Sequence, residues 1–200
     1  MKRMLLLAAA LALMTLACFE EESPPAPKQF EPSSPVNVLK NVEISFNQRD
    51  INLLSAMLSE NFVFHFDPRD VGRSPPGGSQ YVIPESWTRA EFLRAVTNMF
   101  GKAYSISLSI ETDNVGQPRP EETEYLAENV PVELLAMLNE LDGYITYGTS
   151  TFDFERYLAE GGGKYWRLTE WQDGSRYHDE APAALRPATL GTVLAVFYVI

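Results

Sequence analysis

The side chains of this 200-residue chain best placed to do chemistry are His65 and Asp67, in the run Phe62-Val63-Phe64-His65-Phe66-Asp67-Pro68. The aromatic run predicts a strand over 62–66, and residues two apart on a strand share a face. A histidine beside a carboxylate can take and return a proton near neutral pH, as a dehydratase or a small-ring hydrolase requires. Both residues also have ordinary structural uses. A single histidine in an aromatic strand is commonly a hydrogen-bonded core residue, and Asp67 suits the cap of the following turn. The other histidine, His178, lies in Tyr177-His178-Asp179-Glu180. Sequential neighbours rarely converge on one ion, so no metal site is expected there. Gly161-Gly162-Gly163 lacks the Lys and Ser/Thr of a phosphate-binding loop and reads as a turn. No cofactor motif or nucleophile elbow is present.

The elements around this pair carry clear local signals. Ser34 can cap a helix with Pro35 in its first turn, and Leu39, Val42 and Phe46 give that helix one apolar face to about Gln48. Asp50 can cap a second, short helix that buries Leu53, Leu54, Met57 and Leu58. After the strand, residues 68–86 are rich in Pro and Gly and read as a long loop. Thr88-Arg89-Ala90-Glu91 is a capping box, with Trp87 set to staple onto Phe92 and Gly101 expected to end the helix. Tyr104 to Ile110 alternates large apolar residues with serine, the pattern of a half-buried strand. Residues 112–127 read as a loop. Val132 to Leu141 is ambiguous between helix and strand. Asp142-Gly143 marks a hairpin, followed by strands over 144–157 and 164–173. Residues 181–186 read as loose, and the apolar stretch 190–200 must be covered by the rest of the domain.

At the N-terminus, Lys2 and Arg3 precede an apolar run from Met4 to Ala17 and then Cys18, the only cysteine. The run is too short to span a bilayer and has secretory-signal proportions. Thr15-Leu16-Ala17-Cys18 resembles the lipobox of bacterial lipoproteins. The resemblance implies cleavage after residue 17 and a triacylated Cys18, anchored in the cell envelope. Phe19 rather than Asp after the cysteine favours the outer membrane, facing the periplasm, in a Gram-negative cell. Three acyl chains suffice for stable anchoring. Residues 18–35, with five prolines from position 24 on, read as a tether, and 36–200 as one domain. Loss of Lys2 and Arg3 leaves 14 basic against 27 acidic residues, a mature net charge of −13. Such a surface disfavours nucleic acid.

The order helix, helix, strand, helix and several antiparallel strands resembles the nuclear transport factor 2-like superfamily. Two stretches carry the likeness: Leu54 to Pro68, and Tyr165-Trp166-Arg167-Leu168-Thr169-Glu170-Trp171-Gln172-Asp173. The resemblance implies an α+β fold with a cone-shaped, curved antiparallel sheet wrapped around N-terminal helices and a pocket at its mouth. It implies that Val132 to Leu141 is a strand, and that a homodimer can form. Ketosteroid isomerases and scytalone dehydratases share this superfamily. By that likeness Asp67 stands near the position of a catalytic base and Asp153 near that of a protonated acid. The tyrosine that would complete the oxyanion hole is missing, since the first helix offers Val42. The expectation is therefore a non-catalytic domain binding a small apolar ligand or a protein partner. Phe64, Phe66, Trp87, Phe100, Tyr104, Tyr147 and Trp166 are candidates to line its pocket. The alternative is a small enzyme using Asp67 and His65.

Overall fold

The structure is a computed structural model in which residues 28–77, 80–158, 162–176, 182 and 184–199 are described. The signal segment, Cys18 and His178 lie outside the described residues. Helices α1 (Pro35–Gln48) and α2 (Ile51–Met57) lead into strand β1 (Leu58–His65). Strand β2 (Ser86–Thr88) precedes helix α3 (Arg89–Lys102). Strands β3 (Ser105–Ile110), β4 (Glu124–Met137), β5 (Gly143–Leu158) and β6 (Lys164–Arg176) follow, then β7 (Leu185–Pro187) and helix α4 (Leu190–Val199).

Local chemistry accounts for the helix ends. Ser34 Oγ accepts from Asn37 N at 3.3 Å, and Pro35 occupies the first turn of α1. Arg49 stops α1 by entering the left-handed region at φ 58°, with its N–H on Phe46 O at 3.2 Å. Its guanidinium then donates to Phe100 O at 2.9 Å, Ala103 O at 2.8 Å and Tyr104 O at 2.9 Å. A cation thus closes the C-terminal end of α3, where the helix dipole favours it. The capping box of α3 forms as expected, with Glu91 Oε2 accepting from Thr88 N at 2.8 Å. The helix runs one residue beyond Gly101 and ends on extended Ala103, because Arg49 satisfies the carbonyls a left-handed glycine would otherwise help to satisfy. Trp87 reaches Phe92 through Phe64, whose ring centroid lies 6.2 Å from Trp87 and 5.4 Å from Phe92.

Among the described residues the strands form one sheet in the order β2-β1-β6-β5-β4-β3, with β7 added beside β5. Most pairings are antiparallel, while β1 on β6 and β7 on β5 are parallel. Register shifts at Leu58/Val63, Ala127/Val130 and Asp153/Phe154 bend the sheet. The chain from Glu124 to Met137 is strand despite its Leu, Ala, Met and Glu, because both of its edges are paired, by β3 and by β5. It also takes in residues expected to be loop, and β7 lies in the tail expected to be loose. Gly143 opens β5 so close to Ala136 that a Cβ there would lie 2.7 Å from the Ala136 carbonyl oxygen. Residues 30–34, expected to belong to the tether, are tied to the domain. Asn41 Oδ1 accepts from Phe30 N at 2.8 Å, and Trp166 N donates to Pro32 O at 2.8 Å.

One face of the sheet is covered by helices. Helix α1 packs on β3 and β6, α3 on β1 and β2, and α4 on α3, β5 and β6. Helix α4 is apolar all round, and Leu190 to Phe197 are buried, as a helix of that composition requires. The apolar stretch expected to need cover is thus this helix, and α3, β5 and β6 cover it. No helix among the described residues is long and apolar enough to cross a membrane.

Candidate functional site

A cleft of about 560 Å³ opens where β1 and β6 end, lined by His65, Phe66, Pro68, Val71, Glu85, Gln172 and Asp173. Strand pairing positions it: His65 stands opposite Gln172 across the parallel β1–β6 ladder. Alternation turns Phe62, Phe64 and Phe66 into the core and His65 to the outer face. The histidine side chain is 39 % exposed, and its Nε2 lies 3.2 Å from Glu170 Oε2 without hydrogen-bond alignment.

Asp67 is two residues from His65 in sequence but has a different partner. It follows the strand rather than lying on it, and its backbone oxygen accepts from Asp70 N at 2.9 Å in a turn. Its Oδ1 accepts from Arg69 N and Arg69 Nε, both at 2.8 Å, and its Oδ2 accepts from Arg69 Nη2 at 2.7 Å. Burial raises the Asp67 pKa, but the hydrogen bonds and charge of Arg69 outweigh that and hold the carboxyl below its ordinary range. A carboxylate stabilised in this way is a poor proton acceptor. Arg69 continues to Ser175 O at 2.6 Å, joining the 67–70 turn to the end of β6.

Beside the cleft, buried side chains cap the first turn of α4. Leu190 N donates to Ser175 Oγ at 2.7 Å, Gly191 N to Asp173 Oδ2 at 2.7 Å, and Thr192 N to Thr189 Oγ1 at 3.1 Å. Ser175 Oγ donates to Asp173 Oδ1 at 2.5 Å, and Thr189 Oγ1 donates to Asp70 Oδ2. Desolvation pushes the Asp173 carboxyl up; hydrogen bonds from Ser175 and Gly191 act against it, and the Asp67 charge adds to it. The polar groups at the strand ends are thus engaged in holding α4 in the concavity, a use with no local sequence signal beyond Asp173 near the end of β6.

Of the remaining candidates, Asp153 shares the outer sheet face with His65 on the other side of Glu170, and the aromatic ones are dispersed. Asp153 is on the outer face of β5 opposite Glu170, in a separate groove with Glu124 and Glu155. Burial and the neighbouring Glu170 push its carboxyl up, while His65 pulls it down. Val42, at the position considered for an oxyanion tyrosine, is fully buried. Of the aromatic candidates only Phe66 lines the cleft. Phe64, Trp87, Phe100 and Trp166 are core, with Phe64 packed between Phe66 at 5.2 Å and Phe92 at 5.4 Å. Tyr147 is half-buried on β5. Tyr104 precedes β3, is 58 % exposed and reaches Glu140 at 3.4 Å. No group of acidic, histidine or cysteine side chains suited to a metal ion occurs among the described residues.

No family model matches the chain, and no curated protein matches it in sequence. Among solved structures it is similar to a conserved protein from Planctomyces limnophilus, with a TM-score of 0.50 and 14% identity over 70% of this chain and 91% of that one. It is also similar to a nuclear transport factor 2-like superfamily protein from Salmonella enterica (TM-score 0.47, 12% identity, 74% and 91% covered). A third is a hexachlorocyclohexane dehydrochlorinase, LinA type 3, from Novosphingobium barchaimii (TM-score 0.45, 10% identity, 70% and 80% covered). The likeness to the P. limnophilus protein concerns the fold alone. That fold is α+β with a curved, open sheet over helices, the class that the element order implied.

Proposed function

We propose that the domain binds a small, largely apolar ligand or a protein partner at the β1–β6 cleft without catalysing a reaction, and that the lipobox-like Cys18 anchors it to a membrane of the cell envelope. The observation that carries the binding reading is the pairing at the strand ends. Asp67 is committed to Arg69, His65 stands beside Glu170 without a hydrogen bond to it, and the concave side is filled by α4 and packed aromatic rings. What stays open is a cleft of ligand-pocket size, apolar on Phe66, Pro68 and Val71 and polar on His65, Glu85 and Gln172. An apolar body with one hydrogen-bonding end fits that lining. Native mass spectrometry of the chain extracted from its own membrane tests this reading. A bound small molecule or partner is expected in the wild type and lost in Val71→Trp, which fills the cleft. Retention of the ligand in that variant refutes the site.

The competing reading, an isomerase or dehydratase, draws on His65 lining the same cleft. It requires turnover that disappears in both His65→Gln and Asp67→Asn while the fold survives. Such a result would replace the non-catalytic reading.

A further inference from the structure

Between α2, the start of α3 and strands β1 and β6, a second groove of about 310 Å³ includes Asn52, Ser55, Glu60, Arg89 and Arg167 in its lining and shares no residue with the cleft. Arg89, the first residue of α3, donates through Nη2 to Ser55 O at 2.9 Å and Ser55 Oγ at 2.7 Å. Arg167, on β6, places its guanidinium carbon 4.0 Å from the centroid of the Tyr157 ring. In both arginines Nε is sealed from solvent and has no hydrogen-bond partner. Neither guanidinium has a carboxylate at ion-pair distance among the described residues, and Glu60, in the same lining, stays beyond that distance.

An Nε sealed from water is sealed from a ligand in the groove as well, so a partner would bind the guanidinium nitrogens that face the groove. A half-buried cation with no anion beside it has lost part of its hydration without compensation. The chain has 27 acidic side chains and a net charge of −11, so carboxylate partners are plentiful, yet two half-buried arginines converge on one groove without one. Guanidinium groups match the acceptor spacing of carboxylate and phosphate oxygens, and two together can hold one such group in a fixed orientation. Ser55 Oγ accepts from Arg89 and keeps its own hydrogen to donate, and the Asn52 amide adds neutral donors at the rim.

We propose that this groove is a binding site for an oxyanion, a phosphate or carboxylate group borne by a small molecule or a lipid headgroup, held between Arg89 and Arg167. The full chain is titrated at constant ionic strength with inorganic phosphate, with acetate, and with dihexanoyl phosphatidylglycerol below its micelle concentration. Binding is read by calorimetry and, for the phosphorus probes, by ³¹P line width. Saturable binding is expected for at least one probe. A preference for the short-chain lipid identifies a headgroup as the source, and binding of phosphate or acetate alone identifies a free oxyanion. Arg167→Met is expected to weaken binding about 10- to 100-fold, the range for losing a hydrogen bond to a charged group. Arg167→Lys retains part of the affinity, and Glu60→Gln tightens binding about threefold by removing a negative charge from the lining, while Glu155, opposite Arg167 in the β5–β6 ladder, stays in place. Glu60 is exposed, so that variant keeps the fold and gives a reading whether or not Arg167→Met does. Absence of saturable binding for all three probes, or equal affinity in wild type, Arg167→Lys and Glu60→Gln, overturns the proposal.

Discussion

Replacing glycine by alanine at two helical positions should move stability in opposite directions. Gly191 is the second residue of α4, and a Cβ built there would lie 2.5 Å from Phe66 Cδ1 and 3.2 Å from Asp173 Oδ2. Ordinary carbon contacts lie near 3.5–4.0 Å, so the Phe66 ring or the helix must shift by roughly 1 Å. The ring cannot swing aside freely: Trp87 stands edge-on at 4.6 Å and Phe64 at 5.2 Å. Overpacking of this kind costs about 1–3 kcal/mol, and a contact this short belongs in the upper half of that range. Alanine returns up to about 1 kcal/mol through helix propensity. The net expectation for Gly191→Ala is a loss of about 1–2 kcal/mol, which for a domain of this size lowers Tm by roughly 2–8 °C. Gly101 lies in α3 without a left-handed φ, and a Cβ added to it would meet nothing within 4 Å. There Gly101→Ala should gain about 0.5–1 kcal/mol, a Tm increase of roughly 1–4 °C. Thermal melts followed by far-ultraviolet circular dichroism, with tryptophan emission as a check on packing, decide the matter. Equal or greater stability for Gly191→Ala would refute the claim that α4 is seated tightly against Phe66 and Asp173.

Three further outcomes follow from other contacts. Arg49→Ala should lower stability by about 1.5–3 kcal/mol in urea unfolding, because three carbonyls around the end of α3 lose a charged donor. Asp67→Asn should cost roughly 1 kcal/mol at neutral pH, a small value because Arg69 is half exposed. Since the folded carboxyl is held below its ordinary 3.8, its contribution is present above that pH and is lost as the pH falls through the lower folded value. Unfolding curves of wild type and variant should therefore differ at pH 7 and converge on acidification, whereas a constant gap would contradict the ion-pair reading. Finally, cells fed labelled palmitate should incorporate it into the wild-type chain and not into Cys18→Ser; label in the serine variant would exclude the anchor at Cys18.

The parts of the fold legible in the sequence are those in which a few neighbouring residues set the backbone. Ser34-Pro35 and the Thr88–Glu91 box start α1 and α3 because their hydrogen bonds close within one turn. In β3, Leu108 and Ile110 point inward because a strand alternates its faces, whereas Tyr104 falls before the strand and escapes that rule. The end of α3 was less legible. Its closing cation comes from Arg49, at the end of another helix, so nothing near Gly101 announces it.

Local spacing therefore determines the helix starts, while the likeness of the element order to a known superfamily implies the α+β class and the lipobox-like run before Cys18 implies an anchored chain. The assembled fold decides the chemistry of the strand ends. His65 and Asp67 are near neighbours in sequence, yet Asp67 is bonded to Arg69 while His65 stands beside Glu170 on the outer face. Residues on β6 and α4 meet only when the chain closes, and there Asp173 and Ser175 hold the helix that fills the concavity. Periodicity reports which face of an element is apolar, because that is a property of one segment. It does not report which charge will stand beside another, because Coulomb and hydrogen-bond energies depend on distances that only long-range packing sets.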